Sequence, residues 1–161
     1  MRRPIKNKKP VVADREYGSV NVAKLINYIM IDGKKNVARK VVYGAFDIIK
    51  NTADEDSKGN LDAITVFDTA LANVKPSMEV RSRRVGGANY QVPVEVRKDR
   101  QLSLALRWII AAAKAKKGKA MSERLADELM AAYKEEGEAV TKKVNVHKMA
   151  DANKAFAHFA W

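Results

Sequence analysis

Met78-Glu-Val-Arg-Ser-Arg-Arg-Val-Gly-Gly-Ala-Asn-Tyr-Gln-Val-Pro-Val-Glu-Val96 decides how this chain is read. Two runs of strand-forming residues flank Gly86-Gly87. A two-residue primed turn needs φ > 0 at both central positions, which glycine adopts at no steric cost. With that pair as the loop the register follows: Val85 opposes Ala88, Arg83 opposes Tyr90, and Arg81 opposes Val92. Side chains alternate faces along a strand, so Arg81, Arg83 and Tyr90 share one face and Ser82, Arg84, Asn89 and Gln91 the other. Neither face is clean enough to bury. The ribbon, about 77–96, therefore reads as a projecting arm. Its guanidinium groups match phosphate oxygens, and a tyrosine or arginine plane stacks on a base.

Working outward toward the N-terminus, apolar residues recur at helical spacing. Leu61, Ile64, Phe67, Leu71 and Val74 predict a helix closed before Pro76. The acidic, glycine-containing stretch Asn51 to Asn60 reads as a loop. Before it, Val37, Val41, Ala45 and Ile48 give the stripe of a helix over roughly Lys35 to Lys50. Val22, Leu25, Ile26, Ile29 and Met30 give a first helix, with Ser19 as its N-cap and Gly33 where a C-cap glycine belongs. Beyond the ribbon a fourth helix begins near Lys98 with Asp99 at its start, and a fifth follows Ser122 with Leu125, Leu129 and Ala132. A sixth runs from about Glu138 through Val140 and Val144 toward Ala150. The expected fold is mostly α, a six-helix domain over 17–161 with a protruding two-stranded hairpin between helices three and four. Residues 1–16 show no apolar period and hold Arg2, Arg3, Lys6, Lys8 and Lys9, which predicts a basic arm, partly disordered when free.

The fourth helix carries a second signal. At 100° per residue, Arg107 and Lys114 fall within about 40° of Arg100, while Leu102, Leu106, Ile109 and Ala113 cluster on the opposite side. One face packs and the other is a basic stripe, which runs on into Lys116, Lys117 and Lys119 around Gly118. A solvated face usually mixes both charge signs. This one does not after Asp99, and that favours nucleic-acid contact.

Composition points the same way. The 161 residues suit one domain with a sizeable core, and Lys+Arg 31 against Asp+Glu 19 gives a net charge of +12, the mark of a polyanionic partner. The absence of cysteine excludes a disulfide framework, a thiolate nucleophile and a cysteine metal site, and fits a reducing compartment. No secretory apolar region follows the basic start, and no apolar run approaches membrane-spanning length.

Enzymatic chemistry finds little to stand on. His147 and His158, even on one continuous helix, would sit about 16 Å apart, too far to share a metal. Gly33-Lys34 and Gly118-Lys119 lack the earlier glycine of a phosphate-binding loop, since Tyr28 and Ala113 stand there. A calcium loop starting at Asp54 fails at Lys58 and Thr65. Neither catalytic residues nor a metal site nor a cofactor is expected.

The segment Lys75 to Val96 closely resembles the signature of the small-subunit ribosomal protein seven family, in its bacterial or organellar form. The resemblance extends to Tyr17-Gly-Ser19, Val22-Ala-Lys-Leu-Ile-Asn27, Asp32-Gly-Lys-Lys35 and His147-Lys-Met-Ala-Asp-Ala-Asn-Lys-Ala-Phe-Ala-His-Phe159, so it covers nearly the whole chain. It departs at Asp14-Arg15-Glu16, where the family often has a proline. The resemblance implies a non-catalytic primary binder of the 3′ major domain of small-subunit ribosomal RNA, starting assembly of the subunit head. It also implies exit-site transfer RNA, messenger RNA and other small-subunit proteins as neighbours, no membrane, and a cytoplasmic ribosome, or an organellar matrix or stroma. The expected RNA contacts are Arg2, Arg3, Lys6, Lys8 and Lys9 in the arm; Lys34, Lys35 and Arg39; Lys75; and Arg100, Arg107, Lys114, Lys116, Lys117 and Lys119. On the hairpin they are Arg81, Arg83, Arg84, Gly86, Gly87, Asn89 and Tyr90, and near the C-terminus Lys148, Lys154 and His158. The competing reading is a DNA-architectural protein, because a helical base with arginine-bearing ribbon arms also suits minor-groove bending.

Overall fold

In the computed structural model, which describes residues 10–56 and 62–159, the Ser19 Oγ accepts the Val22 N–H at 3.5 Å and caps α1 (Val20–Ile29). The chain just before it is already tied down. Asp14, expected in the arm, is buried and accepts hydrogen bonds from the Tyr43 hydroxyl at 2.9 Å and from the Glu16 and Tyr17 N–H groups. Burial, the Asp14 hydrogen bond and the nearby negative charge push the Tyr43 phenol up to about 12. Residues 1–9, with the basic side chains assigned to them, lie outside the described residues.

Five further helices follow: α2 (Lys35–Asp56), α3 (Ala63–Val74), α4 (Lys98–Ala115), α5 (Met121–Tyr133) and α6 (Glu138–Ala152). Between α3 and α4 stand β1 (Met78–Val85) and β2 (Ala88–Glu95), an antiparallel pair. A 3₁₀ segment, Lys154–Phe159, follows α6. The mostly helical fold with one hairpin after the third helix is thus as expected. Helix α5 lies at the centre, packed on α2, α3 and α4. Leu125 and Leu129 of α5, Phe46 and Ile49 of α2, Phe67 and Leu71 of α3, and Leu106 and Ile109 of α4 are all fully buried in one core. Each such side chain contributes about 1.5–3 kcal/mol relative to exposure.

Several local expectations need correction. The buried stripe of α2 is Ala38, Val42, Ala45, Phe46 and Ile49, and Val37 is 60% exposed. Phe46, the bulkiest apolar residue of that helix, goes to the core, and the packed face turns with it. Val41 and Ile48 pack at the margin. Asn51–Asp56 is helix rather than loop, because no glycine or proline interrupts it before Gly59. Residues 57–60 of the expected loop, and Leu61, lie outside the described residues. Gly33 does not cap α1. The helix ends at Ile29 with Met30 extended, and Asp32 and Gly33, both at positive φ, make a separate turn closed by the Lys34 N–H on the Ile31 carbonyl at 3.0 Å. Helix α5 begins one residue before Ser122, and Val144 of α6 is exposed.

A fully buried charge sits inside this body. Glu128 is fully buried, accepts the Ala139 N–H at 3.0 Å and pairs with the Lys116 ammonium at 2.8 Å. It thereby ties the end of α4 and the start of α6 to α5. Gly137 makes room for it: its φ is +91°, and a Cβ there would stand 2.9 Å from the Glu128 Oε1.

Candidate nucleic-acid interface

The hairpin turns on Gly86 and Gly87 at φ +57° and +89°, and its register is the one the sequence dictates, with Val85 opposite Ala88, Arg83 opposite Tyr90 and Arg81 opposite Val92. Its two halves differ. Near the tip Ser82, Arg84, Gly86, Gly87, Asn89 and Gln91 are exposed. The base is packed, contrary to the expectation that neither face would bury. Glu79, Val92, Pro93 and Val96 are all buried there. Glu79 accepts from the Arg81 Nε at 2.7 Å and from the Arg100 Nε at 3.3 Å. Burial by itself would push this carboxyl up, but the two guanidinium groups outweigh burial and hold it below the usual carboxylate range. The base is also fastened to α6, where the His147 Nε2 accepts the Ser77 N–H at 3.1 Å. That nitrogen is therefore unprotonated in this arrangement.

Nearer the tip, the Tyr90 ring lies 5.2 Å from those of both Phe156 and Phe159, so the C-terminal 3₁₀ segment straps the hairpin. His158, on that segment, is exposed, 4.0 Å ring to ring from Phe159, and its Nδ1 bonds the Ala155 carbonyl at 2.9 Å. Sequence reasoning did not find this strap. Its signal was the Phe156 and Phe159 pair three residues apart, which a 3₁₀ turn places on one side.

From the hairpin base a cationic track runs along α4. Arg100, Arg107 and Lys114 are all exposed on it, and fourteen residues of helix make about 21 Å. Arg100 meets the hairpin through Glu79. Arg107 lies over the Tyr28 ring of α1, 5.8 Å from its centroid, within cation–π range. Lys114 reaches the α1–α2 turn, where it shares a groove with Lys34. Lys35 and Lys117 are exposed nearby in sequence. Tyr28, 38% exposed and not among the contacts expected from the sequence, joins the site because α1 and α4 pack side by side. Arg124 joins it through its Nη1, which donates to the carbonyls of Lys114 and Lys116 and closes the end of α4.

Other expected contact residues stand elsewhere or are already engaged. Lys116 belongs to the buried pair with Glu128. Lys119 bonds Asp127 at 2.9 Å, and that hydrogen bond raises its ammonium above the usual lysine range. Arg39, half-buried, lines a shallow depression with Arg15, Glu16 and Tyr43. Lys75 is half-buried at the end of α3, and Lys148 and Lys154 are exposed at the C-terminal side. Among the described residues no three histidine, aspartate or glutamate side chains converge as a metal site, and no helix is long and apolar enough to cross a membrane.

The family model for ribosomal protein S7p/S5e matches residues 1–154. The small ribosomal subunit protein uS7 of Thermotoga neapolitana is 55% identical over 161 residues, the full length of both chains. Those of Moorella thermoacetica and Polynucleobacter asymbioticus are each 52% identical, covering 96% and 94% of this chain and 95% and 94% of their own. A hairpin of dictated register on a six-helix body and this likeness from end to end lead to one assignment: the chain belongs to the ribosomal protein S7p/S5e family.

Proposed function

We propose that the chain is a structural constituent of the small ribosomal subunit that binds the 3′ major domain of its ribosomal RNA, nucleates the head, and lies beside exit-site transfer RNA and messenger RNA. The observation that carries this reading is the exposed track from the hairpin base along Arg100, Arg107 and Lys114 to the Lys34 turn. A nucleic-acid duplex carries one charge per about 1.7 Å of axis, so roughly 21 Å of track meets several phosphates. The work is physical rather than catalytic. Lysine and arginine neutralise phosphates so that RNA helices can converge, and the packed helices behind the track hold them at fixed angles. The hairpin, fastened at its base by Glu79 and His147, leaves Arg84 and Asn89 exposed near its tip. Neighbouring small-subunit proteins complete the surroundings, and a bacterial member would act in the cytoplasm, on the ribosome.

A filter-binding titration of a 3′ domain transcript, with duplex DNA of equal length as competitor, tests this. The RNA should win by at least about tenfold at physiological salt, within the range that separates specific from non-specific binding. Equal competition would overturn it and favour the DNA-architectural reading.

A further inference from the structure

Between the end of α1, the start of α2 and the α4–α5 junction lies an open groove of about 380 Å³. Its floor is aliphatic, made by Ile29, Met30, Val41 and Met121, and its mouth carries Ile31 and Val37, each 60% exposed. Lys34, Lys114 and Arg124 rim it, against a single carboxylate, Asp32, which stands 4.0 Å from Lys34. Large aliphatic side chains left in water and ringed by cations call for an occupant that is flat and apolar at one end and anionic at the other.

We infer that the groove seats one unpaired nucleotide of the RNA partner, its base on the aliphatic floor and its phosphate between Lys34 and Lys114. This rests on the RNA-binding reading and deepens it. Size and charge choose the occupant. A helical segment of another protein is 10–12 Å across and needs a groove several turns long, whereas about 380 Å³ suits a single base with its sugar. Unpaired bases splayed from loops and junctions are what sequence-selective RNA recognition takes hold of. The groove also opens at the far end of the α4 track, where a backbone followed from Arg100 through Arg107 arrives at Lys114.

The test is a scan of a 3′ domain transcript in which unpaired nucleotides are made abasic one at a time, keeping every phosphate. Each is titrated against wild type and against Val37→Trp, which fills the mouth from an exposed position. At one site or a few adjacent ones, loss of the base should weaken wild-type binding on the order of tenfold, and Val37→Trp should bind intact and abasic RNA equally. Ile31→Glu, which sets a carboxylate at the mouth without touching the core, should remove the same discrimination if Val37→Trp folds poorly. If wild type does not bind the transcript, the proposed function and the occupant fall together. If it binds but no abasic position couples to either variant, the groove assignment alone falls. It falls too if both variants bind RNA normally yet block addition of a neighbouring protein to a reconstituted subunit.

Discussion

Glu79 is a negative charge at the foot of a cationic ribbon, and two arginines depend on it for orientation. Its carboxyl is depressed in the fold, so its contribution is fully present above the unfolded value of about 4.3 and is lost as pH falls from there through the folded value. Both guanidinium groups are partly exposed and screened by water. Glu79→Gln should therefore cost only about 1 kcal/mol at neutral pH, and its loss of stability on acidification should be shallower than that of wild type. Urea midpoints between pH 7 and pH 3 check this, and parallel profiles would refute it. Lys116 is a different case. Its partner Glu128 is fully buried, while Lys116 itself is about one-third exposed (34%). Removing one member of a fully buried pair costs about 3–5 kcal/mol, so the half-exposed geometry suggests about 2 kcal/mol for Lys116→Ala. Lys117→Ala, on an exposed neighbour, should stay within about 0.5 kcal/mol. Denaturant melts of the two variants separate a lysine that holds the fold from one open to solvent.

The hairpin is an element held from three sides: by the Glu79 cluster, by His147 at Ser77, and by Phe156 and Phe159 on Tyr90. Two-stranded ribbons are marginal on their own, so the strap should set how rigid the arm is. In Phe156→Ala/Phe159→Ala, amide hydrogens of 78–95 should exchange faster while those of α3 and α5 keep their protection. Unchanged hairpin exchange would show the strap to be idle. Arg84→Ala should weaken binding to the 3′ domain transcript with less loss of stability than Arg81→Ala, which releases Glu79. What could be read from the sequence follows the same division. The hairpin register was legible because two adjacent glycines leave one way to close the turn, and α1 because Ser19 and a strict apolar period agree. The α2 stripe was misread because Val37 and Val41 are as apolar as Val42, and only the packing of Phe46 chooses between adjacent faces. The α4 stripe was visible as periodicity, but Tyr28, Arg124 and the tyrosine–phenylalanine strap come from other elements. Nothing in local spacing says that residue 90 meets residue 156.

At the scale of the whole molecule, the total of 31 lysines and arginines overstates what is left for a partner. Lys116 and Lys119 are paired inside the fold, and Arg81 and Arg100 share Glu79. Arg107, Lys114, Lys34, Lys35 and Lys117 stay exposed along and beyond the track, with Arg84 on the hairpin. If on the order of six to ten phosphates are neutralised, the logarithm of the binding constant should fall linearly with that of salt, with a slope near −0.9 per phosphate on duplex and −0.7 on single strands. Affinity should then drop by about 10³–10⁵ between 50 and 200 mM salt. Variants divide the slope further. Arg107→Ala and Lys114→Ala should each lower its magnitude by about one phosphate's share, because each removes one contact. Lys119→Ala should leave it nearly unchanged, because that ammonium already bonds Asp127. Titrations of the 3′ domain transcript at four or five salt concentrations read all three. A slope near zero for wild type would show that shape and stacking, rather than charge, hold the RNA. An equal reduction for all three variants would show that the ion pairs within the fold open on binding and that the track is no more than a part of a uniformly cationic surface.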